Sequence, residues 1–166
     1  MALYFTSDTH FGHANIIRLC ERPFVDVDEM NETMIERWNA VVRANDDVWH
    51  LGDFAYKGED PSVYFNRLNG RKHFLMGNHD DEKTRRLGWQ GVGGYTEIKH
   101  DRRRIVLCHY PFSEWNGFYR GALHFHGHQH NKEPSSVPNR IDVGVDAWGF
   151  QPVSVDVLFS MFPSNT

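Results

Sequence analysis

The chain has 166 residues, of which 40% are hydrophobic and 24% are charged, and its formal net charge is −4 at pH 7. This composition is typical of a folded globular protein and excludes the fibrous and the intrinsically disordered classes. No apolar run approaches the roughly 20 residues that a membrane-spanning helix needs, so no membrane partner is expected. The negative balance gives no overall reason to expect nucleic acid as a partner, although a local basic patch stays compatible with it.

The length predicts a single domain, residues 1–166, that is large enough to build a core. Two cysteines, Cys20 and Cys108, are too few for a disulfide framework, and the chain starts without a secretory-type apolar segment. Both features favour a reducing cytoplasm. The unusual feature is histidine, which occurs eleven times. Histidines grouped with Asp and Asn are typical of divalent-metal sites, whereas a chance excess of surface histidine is the simpler alternative. No feature predicts an oligomeric state.

The first half of the chain alternates predicted strands and helices. Strands are predicted at residues 3–6, 48–51 and 72–76 because these runs are rich in apolar and β-branched or aromatic residues. Helices are predicted around residues 15–17, at 28–44 and at 60–68, and a short charged helix is predicted after Asp80. In the 28–44 segment Met30, Met34 and Trp38 recur at helical spacing behind acidic residues that suit a helix start.

The second half is predicted to be richer in strands. A glycine-rich surface link at 88–94 precedes a hairpin whose arms, 96–99 and 104–107, alternate about residues 100–103. An aromatic loop at 111–121 leads to strands at 122–125 and 140–145, and Ser154 is expected to cap a final helix through Phe162. Together the two halves predict a layered α/β domain with mixed sheets.

Metal-type side chains follow directly after five of the predicted strands. In the clearest case, Phe74–Asp80, an apolar run stops at a glycine and Asn78, His79 and Asp80 follow. The same order of residues recurs at 5–10, 51–53, 106–109 and 125–130. One such run is ordinary turn chemistry, but functional sites of α/β proteins gather at the carboxyl ends of strands. Five repetitions therefore favour one common site.

The residue types at these five strand ends suit a pair of divalent cations. Two cations about 3.5–4 Å apart need one ligand that bridges them and several that hold each from its own side. Hard and borderline metals accept carboxylate, amide oxygen and neutral imidazole as ligands. Any one of these side chains alone would be a turn, cap, surface or core residue. The candidate metal ligands are Asp8, His10, Asp53, Asn78, His109, His128 and His130.

The order of these motifs resembles the calcineurin-like metallophosphoesterase family. The series is Asp8-x-His10, Gly52-Asp53, Gly77-Asn78-His79-Asp80, His109 and Gly127-His128-x-His130, and the resemblance runs from residue 3 to about residue 130. The longer forms, residues 8–13 and 109–111, resemble the small, single-domain bacterial and phage members. The resemblance implies an αββα sandwich of two mixed β-sheets flanked by helices. It also implies a phosphoric ester hydrolase with a dinuclear metal centre.

The resemblance further implies a role for each ligand. Asp8, His10 and His130 would hold one metal ion. Asn78, His109 and His128 would hold the second, and Asp53 would bridge both. The expected cofactors are two divalent ions, with Mn²⁺ as the first choice and Ni²⁺, Zn²⁺ or iron as alternatives. A metal-bridging hydroxide would attack phosphorus, and the catalytic residues would be Asp53 and His79, of which His79 stabilises phosphoryl oxygens or protonates the leaving group.

The expected substrate is a phosphomonoester or phosphodiester, such as a small nucleotide. His13, Asn78 and Arg120 are the candidate substrate-binding residues, although His13 could equally cap the helix that follows it. The aromatic loop could stack a base or simply cover the core. His50 is predicted to be a core residue or a support for the site, and the acid that orients His79, Asp80 or another, is left open.

The sequence departs from the protein phosphatases of this family, and two other functions are possible alternatives to a phosphoesterase. Protein phosphatases of this family carry Gly-Asp-x-x-Asp-Arg-Gly, whereas residues 52–58 here lack that second Asp and the Arg, which disfavours a protein phosphatase. A catalytically inactive metal-binding scaffold for protein partners is disfavoured because no ligand is missing. A nuclease is disfavoured by the net charge, yet Arg102, Arg103 and Arg104 at the hairpin tip keep it open, with a solvated tip as the simpler interpretation.

Overall fold

The computed structural model describes residues 1–163, and residues 164–166, the last three of the predicted domain, lie outside the described part. The strands are β1 (Leu3–Thr6), β2 (Asp47–His50), β3 (Arg71–Leu75), β4 (Val92–Gly93), β5 (Tyr95–His100), β6 (Arg103–Cys108), β7 (Leu123–His126), β8 (Arg140–Asp142) and β9 (Val153–Ser154). The α-helices are α1 (Ala14–Leu19), α2 (Val27–Val41), α3 (Ser62–Phe65), α4 (Glu82–Arg85) and α5 (Val155–Ser160).

The described strands form two mixed sheets. The larger has the order β4-β3-β2-β1-β9, in which β1 to β4 run parallel and β9 pairs antiparallel with β1. The smaller has the order β5-β6-β7-β8, in which β5 and β6 form an antiparallel hairpin and β6, β7 and β8 run parallel. This architecture confirms the predicted layered α/β sandwich of two mixed sheets.

The alternation of side chains along each strand divides the core into layers. Phe5, Leu75, Leu107 and Phe125 belong to one buried cluster that fills the space between the two sheets. The opposite face of the larger sheet packs against helices α1 to α3 in a second cluster that includes Trp38. The outer face of the smaller sheet is covered by a third, smaller cluster, in which buried aromatic residues of the loop between β6 and β7 pack on Val106.

Helix ends follow the expected capping chemistry. The Asp26 side chain accepts a hydrogen bond from the backbone N–H of Glu29 at 2.8 Å and so caps the start of α2. The acidic first turn predicted from the sequence follows it. Ser154 caps α5 as predicted, because its Oγ accepts the N–H of Val157. None of the helices within residues 1–163 is long and apolar enough to cross a bilayer.

Several predicted boundaries were wrong. The link at 88–94 contains β4, which extends the larger sheet because the Gly91 and Gly93 carbonyls accept N–H groups from β3 and from Met76 directly after it. The helix expected at 60–68 ends at Phe65, since the next residues continue as tighter i to i+3 turns. The strand expected at 140–145 ends at Asp142, whose side chain accepts the N–H of Gly144 and turns the chain.

Candidate metal centre

The loops that carry the seven candidate ligands meet at one edge of the two sheets. Strands β1, β2 and β3 are parallel neighbours, and so are β6 and β7, so the carboxyl ends of each set lie together. Backbone hydrogen bonds then join the loops: the Asp8 N–H donates to Gly52 O at 2.9 Å and the Gly127 N–H donates to His109 O at 3.0 Å. The structure therefore brings all seven side chains together, as the pattern of strand ends indicates.

One group of donors consists of Asp8, His10 and His130. Asp8 Oδ1 lies 3.9 Å from His10 Nε2 and 3.8 Å from His130 Nε2. Asp8 and His10 are only 0% and 2% exposed, and within residues 1–163 neither Asp8 Oδ1 nor His10 Nε2 has a hydrogen-bond partner. Buried polar atoms without a partner are costly, so this group suits a cation that all three atoms could bind.

A second group consists of Asn78, His109 and His128. Asn78 Oδ1 lies 3.0 Å from His109 Nε2 and 3.1 Å from His128 Nδ1, and the two ring nitrogens are 3.2 Å apart. His109 Nδ1 lies 2.7 Å from the Leu51 carbonyl and donates to it, which leaves the Nε2 lone pair facing the amide oxygen. Lone pairs that face each other at this distance fit ligands arranged around a cation.

The Asp53 carboxylate connects the two groups. Its Oδ2 lies 3.6 Å from His10 Nε2 and 3.4 Å from His109 Nε2, so a single oxygen borders both sets of donors. Its Oδ1 accepts the backbone N–H of His79 at 2.9 Å, which fixes the orientation of the carboxylate. The donor set of carboxylates, an amide oxygen and imidazoles therefore fits divalent cations.

The charges of the first group are shaped by burial and by one ion pair. Burial raises the pKa of Asp8 to about 6 and holds the pKa of His10 well below its usual value. Burial opposes the charged form of His130, but the hydrogen bond of its Nδ1 to Asp146 at 2.9 Å, a hydrogen bond with Cys20 and the charges of Asp8 and Asp146 together outweigh it and raise the pKa to about 10. Arg22 holds Asp146 by two bonds of 2.9 Å and thereby sets the orientation of the His130 ring.

Asp80 ties two of the ligand loops together. Its Oδ2 accepts the N–H groups of Asp53 and Gly77, both at 2.7 Å, and its Oδ1 accepts that of Phe54 at 2.9 Å. Both carboxylate oxygens are thus occupied by backbone, and burial raises the pKa of this group. Asp80 therefore positions the Asp53 loop rather than the ring of His79.

Glycines in the same loops allow the ligands to approach. A Cβ on Gly77 would lie 2.7 Å from the backbone N of Asp53 and would overlap the Asp53 carboxylate. A Cβ on Gly127 would likewise overlap Ser7 and the carboxylate of Asp8. These two positions exclude every side chain because each faces a candidate ligand.

Five of the candidate ligands have left-handed backbone. The φ angles are 57° at Asp8, 49° at His10, 57° at Asp53, 73° at His128 and 52° at His130. Residues other than glycine adopt this region at a cost of about 1–3 kcal/mol each, and such residues concentrate at functional sites. The loops therefore hold strained backbone at the point where the donors converge.

His50, at the end of β2, holds two of the ligand loops by hydrogen bonds. It is fully buried, its Nδ1 accepts the N–H of Gly52 at 3.2 Å, and its Nε2 donates to Thr9 Oγ1 at 3.0 Å. Burial lowers its pKa to about 3, so the ring stays neutral and keeps both hydrogen bonds. Thr9 in turn donates to the Phe54 carbonyl at 2.7 Å, which links the first two ligand loops.

His79 and His13 border the open side of the cluster. The His79 side chain is exposed, and its ring centroid lies 5.5 Å from that of His10. The His13 ring lies 5.6 Å from His10 and stacks on Tyr56 at 4.9 Å. The His13 side chain makes no capping hydrogen bond to α1, which removes the helix-cap alternative.

Two exposed tyrosines also border the cluster, and the sequence analysis did not single them out. Tyr56 stacks on His13, and Tyr110 packs edge-on against His128 with centroids 5.0 Å apart. The available signal was their position, since Tyr110 directly follows His109 and Tyr56 lies three residues after Asp53.

Arg120 does not join the cluster, contrary to the sequence-based expectation. It lines a separate cavity together with Arg103 and Arg104, the first residues of β6, whereas the candidate ligand His109 follows the last residue of that strand. The reason is topological: β6 and β7 are parallel, so the aromatic loop must return to the start of the sheet before β7 begins. The aromatic loop covers the core there, because Trp115 is buried against Val106.

Fold and site together define a two-sheet α/β protein with convergent metal-type ligands at the strand ends, and comparisons place it among known structures. It resembles a protein of unknown function, AQ665 from Aquifex aeolicus, with a TM-score of 0.80 and 28% identity over 97% of this chain and 99% of that one. It shares its fold, with a TM-score of 0.50 and 17% identity, with a novel archaeal phosphodiesterase, over 87% of this chain and 82% of the other.

The chain belongs to the same family as the uncharacterized protein MJ1445 of Methanocaldococcus jannaschii. The two are 37% identical over 170 residues, which cover 96% of this chain and 90% of MJ1445. No protein-family model matches the chain.

Proposed function

We propose that this protein is a metal-dependent phosphoesterase of the calcineurin-like type, which hydrolyses a phosphomonoester or phosphodiester. The observation that carries the proposal is the position of Asp53 Oδ2, 3.6 Å from His10 Nε2 and 3.4 Å from His109 Nε2, between two groups of donors. The ordered motifs support the same activity, and the fold is compatible with it because an archaeal phosphodiesterase shares that fold.

The proposed centre takes two divalent cations. Asp8, His10 and His130 would hold one, Asn78, His109 and His128 would hold the other, and Asp53 would be shared by both. Mn²⁺ is the first candidate, with Ni²⁺, Zn²⁺ and iron as alternatives that the same oxygen and nitrogen donors accept. When bound, such ions would lower the pKa of a water molecule from about 15.7 toward about 7 and so supply a nucleophile for phosphorus, and they would neutralise charge on the phosphoryl oxygens.

His79 is the proposed acid of the reaction. Its backbone N–H is held by Asp53 Oδ1 at 2.9 Å, so the residue is fixed beside the centre while its exposed ring stays free of the donor groups. From this position the imidazole can donate a proton to the leaving oxygen, or a hydrogen bond to a phosphoryl oxygen. Asn78 Nδ2 and the His13 ring are further donors for the phosphoryl group.

The surroundings of the cluster favour an ester with an aromatic or nucleoside group. The exposed side chains of Asn78, His79 and His128 leave the site open, so a substrate larger than phosphate can enter. Tyr56, 49% exposed, and Tyr110, 43% exposed, offer aromatic surfaces on which a base or an aryl ring can stack. A small nucleotide is therefore the proposed physiological class.

The test is hydrolysis of bis-p-nitrophenyl phosphate and p-nitrophenyl phosphate after separate addition of Mn²⁺, Ni²⁺ or Zn²⁺. We expect turnover that depends on the metal, is abolished by chelation and returns when metal is restored. Asp156→Asn, which removes an exposed carboxylate in α5, is the matched control for Asp53→Asn and should retain activity. A protein that binds these metals but hydrolyses neither ester, nor any nucleotide of a substrate panel, would contradict the proposal and favour an inactive scaffold.

A further inference from the structure

A second concave surface lies at the opposite end of the smaller sheet from the metal centre. It is an open cavity of about 600 Å³ formed by the tip of the β5–β6 hairpin, the end of the aromatic loop and the residue that precedes β8. No carboxylate is among its described lining residues, and five of the chain's 18 Lys and Arg residues line it. We call this concave surface the basic cavity, after its five basic lining residues: Lys99, Arg102, Arg103, Arg104 and Arg120.

The basic cavity is a separate site because of its distance along the strands. Arg103 and Arg104 begin β6, and Arg120 lies three residues before the start of β7. The candidate ligands His109 and His128 follow the other ends of these strands. A strand of six residues spans about 20 Å, which is too far for one small phosphoester to contact both places.

The charges of the basic cavity are largely unpaired. Within residues 1–163, Arg104 alone of the five has a carboxylate, that of Glu97, within ion-pair distance. Arg103 is held in place by an aromatic contact instead, with its guanidinium 4.5 Å from the centre of the Phe159 ring. Like charges gathered in one concavity repel each other, and this repulsion costs stability unless an anion compensates it. This local excess of positive charge occurs in a chain whose net charge is −4.

The rest of the lining suits an anion with several oxygens. Asn139 adds an amide group, and Gly121 leaves the backbone open to close approach, whereas the NH₂ group of Asn116 already donates to the Glu97 carboxylate at 3.1 Å. Nothing lies within 4 Å of where a Cβ of Gly121 would be, so the space beside it is free. Guanidinium groups bind phosphate oxygens in pairs of parallel hydrogen bonds, which makes arginine the typical residue of phosphate recognition.

We propose that the basic cavity binds a small polyphosphate anion, of the triphosphate or nucleoside polyphosphate class, independently of the metal centre. With Arg104 paired to Glu97, the four other positive charges exceed what a single phosphate would need and match an anion with three or four negative charges. The volume lies in the range of small-molecule sites, about 300–1,000 Å³. A nucleic acid strand is the less favoured occupant because it needs a continuous basic groove, whereas the five basic residues here line a single concavity.

Isothermal titration calorimetry with inorganic triphosphate tests the site. The protein is used after chelation of metals, so that the probe is not captured by metal ions. The variants are Arg120→Glu in the cavity, Arg18→Glu on the exposed side of α1 as a control with the same change in charge, and Asp53→Asn at the metal centre. We expect Arg120→Glu to weaken binding by about tenfold or more, as for loss and reversal of a charged phosphate contact, while the other two bind like the parent.

Three results would overturn the proposal: no binding at millimolar triphosphate in low salt, equal weakening by Arg18→Glu, or loss of binding in Asp53→Asn alone. Adenosine triphosphate in parallel distinguishes the sources of the phosphate group, since tighter binding than inorganic triphosphate indicates a nucleoside contact. A short single-stranded oligonucleotide that binds more tightly than either, with an affinity that rises with its length, would refute the small-ligand assignment. Circular dichroism confirms that each variant is folded.

Discussion

The two oxygens of the Asp53 carboxylate have different partners. Oδ1 accepts the backbone N–H of His79, and Oδ2 faces His10 and His109 from between the two donor groups. Asp8 Oδ1, by contrast, lies 3.9 Å from His10 Nε2 and 3.8 Å from His130 Nε2, both in the first group, while its Oδ2 accepts the N–H of His128 at 2.9 Å. Equivalent substitutions at the two positions should therefore have unequal effects.

We predict that Asp53→Asn lowers the metal content at both positions, whereas Asp8→Asn lowers it at one. An amide is a weaker ligand than a carboxylate and carries no charge to offset that of the cations. Metal stoichiometry by elemental analysis, together with turnover of bis-p-nitrophenyl phosphate, measures the difference. Equal and mild losses in the two variants would contradict the bridging role of Asp53.

His79→Ala should reduce turnover by about 100-fold or more and leave the metal content unchanged, because the ring stands outside both donor groups. The measurements are kcat and bound metal in the same preparation. His100→Ala, at the tip of the β5–β6 hairpin, is the matched control and should keep its activity. If His79→Ala lost its metals, the residue would be a ligand or a support of one, not an acid.

At the scale of residues, the sequence predicted the seven candidate ligands and the neighbouring His79, His13 and His50, but not two tyrosines that border them. The ligands were predictable because each follows a strand end in a fixed order. Tyr56 and Tyr110 were missed because their positions next to Asp53 and His109 do not show which way their rings point, and the folded loops decide this. Arg120 was misplaced because its position depends on the direction of the loop between two parallel strands, which local sequence does not encode.

At the scale of elements, the ligand loops are held to one another rather than to the helices. Asp80 accepts three backbone N–H groups from the loops after β2 and β3, and His50 and Thr9 connect the loops after β1 and β2. The geometry of the centre thus depends on hydrogen bonds that run across the ends of three parallel strands.

Asp80→Asn should destabilise the protein by about 1–3 kcal/mol, because it places an NH₂ group against backbone donors that are buried. We also expect weaker metal binding, since the Asp53 loop loses its anchor. Urea unfolding measures the free energy of unfolding, and metal titration measures the affinity of the protein for the ions. Asp28→Asn, exposed in the first turn of α2, is the control. An Asp80→Asn protein with parental stability and metal affinity would show that the loops hold their position without this carboxylate.

Most elements were predictable because their signals are local. The period of α2, the apolar runs of β1 to β3 and the hairpin of β5 and β6 are visible within short windows of sequence. The two short strands were missed, because β4 and β9 have two residues each and form only where a neighbouring strand supplies hydrogen bonds. The parallel pairing of β7 and β8 likewise depends on contacts between distant segments.

At the scale of the whole molecule, buried histidines link folding to pH. Burial lowers the pKa of His124 and of His126 to about 4, and that of His50 to about 3. In the unfolded chain these groups have a pKa near 6.5. Between about pH 6.5 and pH 4 the unfolded state therefore binds more protons than the folded state, and the free energy of unfolding falls as the pH falls.

We predict that His124→Gln flattens this dependence. Each such histidine contributes a slope of about 1.4 kcal/mol per pH unit within its window and nothing above pH 7. Removing His124 also costs stability at neutral pH, since its Nδ1–H donates to Val106 O at 3.0 Å and its Nε2 accepts the Phe112 N–H at 3.1 Å. Urea unfolding at several pH values between 4.5 and 7.5 measures the slope, and a slope equal to that of the parent would refute the assignment.

The left-handed backbone at five candidate ligands has a consequence for how such a protein can change over time. Glycine adopts a positive φ without the steric cost of a Cβ. Replacing an Asp or His at one of these positions by glycine can therefore raise the free energy of unfolding while it removes a ligand from the centre. Selection for stability alone would therefore replace these ligands early. The five positions are therefore places where the proposed metal centre and the stability of the fold favour different residues.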